Sequence, residues 1–110
     1  MRWITNLSKI EKEIKIDEEN YILTFDMKSI LTYKEMSGKT FTQGIEDLLL
    51  GDDEEVIYFI GSMLRRKEKP NTPVSEEVYE FNLIACLVEL KNDVIKIVID
   101  SLPQEDSKKK

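Results

Sequence analysis

The chain reads as an α+β domain, mostly α: an N-terminal β-hairpin packed on a small helical bundle, with a long C-terminal helix or helix pair. Three observations predict this. Ile10, Ile14 and Ile16 alternate with charge, and the β-branched, aromatic run Tyr21 to Phe25 follows across a polar turn, so the early period is two. From Met27 the apolar spacing becomes helical, punctuated by capping residues and glycines. From Phe81 to Leu102 it widens into two parallel apolar stripes on one helix.

Residues 1–9 fit either a short helix carrying Trp3, Leu7 and Ile10 or an ordered arm. The first strand places Ile10, Ile14 and Ile16 on one face and Glu11, Glu13 and Lys15 on the other. Asp17 to Asn20 supply turn residues, and Tyr21 to Phe25 form the second strand. An isolated hairpin is marginal in water, so this one must pack on helices or pair with another chain's edge.

Asp26 or Ser29 caps a helix from Met27 to Met36, with Ile30, Leu31 and Tyr33 inward, and Ser37-Gly38 stops it. Thr42 caps a short helix in which Ile45, Leu48 and Leu49 are apolar, with Gly51 after it. Asp52 opens a stronger helix: Asp52 and Glu55 have capping-box spacing, and four consecutive acids crowd a positive N-terminus. Val56, Ile57, Phe59, Ile60, Met63 and Leu64 give that helix its core face. Arg65-Arg66-Lys67 closes it, where cations complement the C-terminal dipole. Glu68 to Pro73 is a polar linker with two prolines, and Ser75 caps the last helix. Asn92-Asp93 is a plausible break in it. Unbroken from 76 to 102, it would be about 40 Å long. Pro103 ends it, giving a domain over 1–103 and a disordered charged tail over 104–110.

Composition excludes several functions. The 110 residues suffice for one modest core, and 35% of them are charged. A net charge of −6 repels phosphate backbones, so nucleic acid is not an expected partner. No apolar run reaches the ~18 residues of a membrane span, and no secretory h-region follows Met1. The single cysteine, Cys86, lies in the apolar helix and is expected to be buried and inert, which fits a reducing cytosol. The chain has no histidine, which removes Ser-His and Cys-His nucleophile pairs and most transition-metal sites. The four glycines are scattered, so none forms a phosphate loop. Asp52 to Glu55 lack the spacing of a calcium loop and are better explained as helix caps. The expectation is a protein that is not an enzyme, with no cofactor, metal or small-molecule substrate.

The C-terminal helix is where function competes with plain packing. One stripe is Phe81, Ile84, Val88, Ile95, Val98 and Leu102, interrupted by Lys91. The other is Leu83, Leu87, Leu90, Val94 and Ile97. At about 100° per residue they merge into an arc roughly 200° wide, twice what a surface helix needs. Either both stripes are core, or one faces another polypeptide. The preceding helices are too short to cover a 40 Å rod of this kind (about 1.5 Å per residue). The expected protein-binding face is therefore Leu87, Leu90, Val94, Ile97, Val98 and Leu102, serving self-association or client contact.

The segment Tyr21 to Phe41, YILTFDMKSILTYKEMSGKTF, resembles the start of the tail assembly chaperones of phages and prophages of Gram-positive bacteria. Gly44 to Asp53 with the helix they open, and the acidic cap Ser75-Glu76-Glu77-Val78, are similar to that family's middle and following helix. The likeness covers roughly residues 10–102 and is one of layout and hydrophobic pattern; the segment Met1 to Lys9 departs from it. It implies a virion-assembly protein of the bacterial host cytoplasm, absent from the finished particle. Such a protein binds the long helical tape measure protein while the tail tube assembles, and often forms homo-oligomers. It also implies that Lys108 to Lys110 are compatible with a slippery frameshift site. Two other readings stand beside it: a small acidic regulator, either an antitoxin or a nucleic-acid mimic, and a structural tail subunit.

Overall fold

The computed structural model describes residues 11–102, so the expectations for residues 1–9 and for the tail lie outside the described residues. Strand β1 (Glu11–Ile16) turns through Asp17 and Glu18 into β2 (Glu19–Thr24), in antiparallel register with Ile14 opposite Tyr21. Helices α1 (Met27–Ser37), α2 (Phe41–Leu49) and α3 (Asp53–Met63) follow. The chain then adds β3 (Leu64–Arg66) beside β2, a 3-10 helix (Ser75–Glu80) and α4 (Leu83–Ser101). The sheet order is β1-β2-β3, antiparallel throughout. The expected α+β class with an N-terminal hairpin and a long last helix is what forms; the third strand is an addition.

Several local expectations hold. Asp26 caps α1, its carboxylate accepting from the Ser29 amide while the Ser29 hydroxyl accepts from the Asp26 amide. Gly38 ends the helix at φ 76°, a left-handed position that suits glycine. Asp52 caps α3 by accepting from the Glu55 amide. Others are corrected. Thr40, not Thr42, caps α2, because its hydroxyl reaches the Gln43 amide and the Gln43 side chain reaches back. Leu31 faces out, 55% exposed, and the buried members of α1 are Ser29, Thr32 and Tyr33. The last helix is unbroken at Asn92-Asp93 but starts at Leu83, capped by Asn82. Ser75 opens the separate 3-10 helix instead. The rod is therefore about 28 Å long rather than 40 Å.

Helix α3 is the axis of the core. Val56, Phe59, Ile60 and Met63 are fully enclosed, and α1, α4 and the 3-10 helix pack around it. Phe59 stacks on Tyr33 at 4.4 Å, and Phe41 meets its edge at 6.1 Å. Tyr21 and Leu23 carry the inner face of the hairpin into the same cluster. Alternation on β2 explains this: both side chains share one face, and their β3 partners are Arg66 and Leu64.

Candidate protein-binding face

Two buried polar networks fix the scaffold. Arg65, expected at a helix end, is instead in the middle of β3 with its side chain 2% exposed. Its guanidinium donates to both Asp26 oxygens at 2.8 and 3.1 Å, to the Ser29 hydroxyl at 2.8 Å and to the Pro70 carbonyl at 3.2 Å. This fork ties β3, the α1 cap and the following loop into one joint. Its hydrogen bonds hold the Asp26 carboxyl below the usual carboxylate range. The second network surrounds Glu55, which does not reach back to close a capping box. It accepts a 2.6 Å bond from the Tyr33 hydroxyl and pairs with Lys39, which also faces Asp47 at 3.6 Å. Burial first, then the Glu55 bond, pushes the Tyr33 hydroxyl up to about 12. The Glu55 bond raises Lys39 in turn.

Both networks hold elements together: Asp26, Ser29 and the Arg65 fork join β3 to α1, and Tyr33, Lys39 and Glu55 join α1 to α3. Among the described residues no three His, Cys, Asp or Glu side chains gather as a metal would require. Among them, too, no helix is long and apolar enough to cross a membrane. Cys86 is buried, and that burial raises its thiol pKa, which disfavours the reactive thiolate.

The C-terminal helix resolves its two stripes in an unexpected way. Leu90, Val94, Ile97 and Val98 of the expected face are buried against the core, while Leu87 and Leu102 are half-buried. Four of the six residues are thus unavailable as a docking face in the folded chain. The reason is geometric. The shorter rod packs against α3 on one side and is approached by the hairpin on the other, where Lys12 pairs with Asp93 at 3.2 Å. The surplus lies on a line that neither predicted stripe drew, joining Ile84, Val88 and Ile95 of the first to Ile99. Ile84 is 75% exposed, Val88 77% and Ile99 41%, with Ile95 half-buried between them. The width of the arc carried this signal; what sequence could not show was which of its residues turned inward.

The exposed stripe borders an open groove of about 390 Å³ lined by Asp53, Ile84, Leu87, Val88, Lys91 and Asn92. Lys91 reaches across it to Asp53 at 3.2 Å. The groove's far wall is Asp53 at the start of α3, and just before it a Cβ on Gly51 would stand 3.3 Å from the Lys91 amine. Gly51 takes a left-handed φ of 82°, and its neighbour Leu50 is 83% exposed. An apolar ridge beside a groove with a charged rim is suited to an amphipathic helix, which needs contact area and no reacting group. Comparison with protein-family models, curated proteins and solved structures finds no match for this chain.

Proposed function

We propose that this chain is a non-catalytic tail assembly chaperone, holding the tape measure protein in the bacterial cytoplasm while the tail tube assembles. The observation that carries the reading is the outer surface of α4: Ile84 and Val88 open beside the Asp53–Lys91 groove, with Ile99 exposed about two turns further along. Contiguous exposed apolar surface on a small domain is a binding surface more often than an accident. The strand–helix–loop–helix order over Tyr21 to Asp53 agrees with the layout on which the resemblance rests. The acidic-mimic reading fares worse, because the acids Asp26, Asp53, Glu55 and Glu77 are paired with cations instead of forming a phosphate-like array.

The reading expects a tape measure gene beside this one, and the test is a holdase assay with that gene's product; its absence counts against the reading. The wild-type chain should suppress aggregation of its purified central segment at near-equimolar ratio. Val88→Asp should abolish suppression while the circular dichroism spectrum stays unchanged. Failure of the wild-type chain to suppress, or full activity of Val88→Asp, refutes the assignment.

A further inference from the structure

The chain's only tryptophan, Trp3, belongs to the segment that departs from the family pattern, and the fold shows where that segment joins it. Strand β1 runs antiparallel to α4 along one flank of the helix. Its Ile16 end shares a cleft with Cys86 and Glu89, and near its Glu11 end Lys12 pairs with Asp93 at 3.2 Å. Residues 1–10 therefore meet the described residues beside Asp93. The groove opens on the opposite flank of α4, and the exposed Val88 and Asn92 lie between the two.

Reach allows the segment to use that groove. From Asp93 back to Val88 is five residues of helix, about 7.5 Å, and crossing one helix takes about 10 Å. Ten residues span about 15 Å as a helix and about 33 Å extended. Trp3, Leu7 and Ile10 recur at helical spacing, so one side of such a helix is apolar and Trp3 stands at its far end.

Chemistry selects the same occupant. The groove has an apolar wall, Ile84, Leu87 and Val88, and a polar rim, Asp53, Lys91 and Asn92. An indole suits both, with apolar ring faces and an N–H that seeks a partner when buried. The Lys91 ammonium in the same groove adds attraction where it meets a ring face. Residues 1–10 hold two cations, Arg2 and Lys9, and no acid, in a chain of net charge −6. Exposed Glu89 lies on the flank the segment leaves, and exposed Asp53 on the groove it enters.

We propose that residues 1–10 cross the outer surface of α4 and seat Trp3 in the groove against Ile84 and Val88, covering the surface a client helix would take. The competition with a client rests on the chaperone reading above; the seating does not.

Because the tryptophan is unique, the emission of the full chain reports this segment alone. In buffer the wild-type band should be blue-shifted from its position in urea and poorly quenched by acrylamide. Ile84→Asp should move it to the red and raise quenching several-fold; Ile84 is 75% exposed in the first turn of α4, where an acid also suits the helix dipole, so the fold is retained. Leu7→Asp should do the same from the other side, and its amide spectrum should differ from wild type at Ile84, Val88 and Asn92 while the α3 amides stay in place. A water-exposed wild-type band overturns the proposal, as do a band indifferent to Ile84→Asp and amides from Ile84 to Asn92 that ignore Leu7→Asp. In the holdase assay Leu7→Asp should suppress aggregation at a lower molar ratio than wild type; equal ratios refute the competition. A seated Trp3 in a chain that never suppresses aggregation refutes the chaperone reading and keeps the seating. A water-exposed Trp3 in a chain that does suppress it refutes the seating and keeps the chaperone reading.

Discussion

Asp26→Asn is the most informative single change. Asparagine keeps a cap acceptor for α1, and caps about as well as aspartate. It removes the counter-charge from Arg65, whose side chain is 2% exposed and has no water to fall back on. It also turns an amide N–H toward a guanidinium that already has one buried nitrogen, Nε, without a partner. Breaking a buried pair from one side costs about 3–5 kcal/mol. The Asp26 side chain is 33% exposed, which lets solvent relieve part of the loss, so the low end, about 3 kcal/mol, applies. Urea unfolding at pH 7 followed by circular dichroism measures it directly. Arg65→Met deletes the charge that needs a partner and should cost about half as much, and the double variant should fall short of the summed losses. A loss under about 1 kcal/mol for Asp26→Asn would class the pair with ordinary surface ion pairs and refute the argument.

Four further outcomes are expected. The depressed carboxyl of Asp26 contributes stability that is present above its unfolded value of about 3.9 and lost as pH falls through the lower folded value, so Asp26→Asn should flatten the acid limb of a pH–stability curve. Tyr33 is the opposite case: raised to about 12, it contributes stability below about pH 10 that is lost as pH climbs toward 12, and Tyr33→Phe should remove that alkaline dependence. Gly44→Ala would put a Cβ 1.7 Å from the Tyr33 hydroxyl oxygen, so thermal melts should show a loss of about 2–3 kcal/mol. Val94→Asp should abolish the cooperative melt, whereas Val88→Asp should leave stability within about 0.5 kcal/mol, separating core from surface on one helix.

Much of this architecture is legible from spacing alone. The α3 core face, Val56 to Leu64, and the caps at Asp26 and Asp52 follow from local rules that the packing does not override. The α2 and α4 caps, Thr40 and Asn82, were local alternatives, but the other misses share a cause: each depended on a distant residue. Arg65 looks like a helix-closing cation until β2 is placed beside it, and a three-residue strand has no periodicity to detect. Glu55 has capping-box spacing but is drawn away by Tyr33 and Lys39. The wide apolar arc on α4 correctly announced more surface than one side can hide. Period, however, is blind to direction, and only the placement of α3 and the hairpin decides which part of the arc is covered. The candidate face was therefore visible as a surplus and invisible as a list of residues.

The hairpin tip has a bearing on how two copies of this chain could meet. Asp17 and Glu18 adopt φ of 50° and 71°, a region in which Asn-Gly is at ease and two acids are not, at a cost of about 1 kcal/mol per residue. Beside them β1 carries alternating glutamate and lysine along a sheet margin that no described strand covers. A ribbon with a costly, negatively charged apex and a charged border resists recruiting its own likeness strand to strand. Edge-to-edge growth of the sheet from one copy to the next is thereby disfavoured, which works against propagation into fibres.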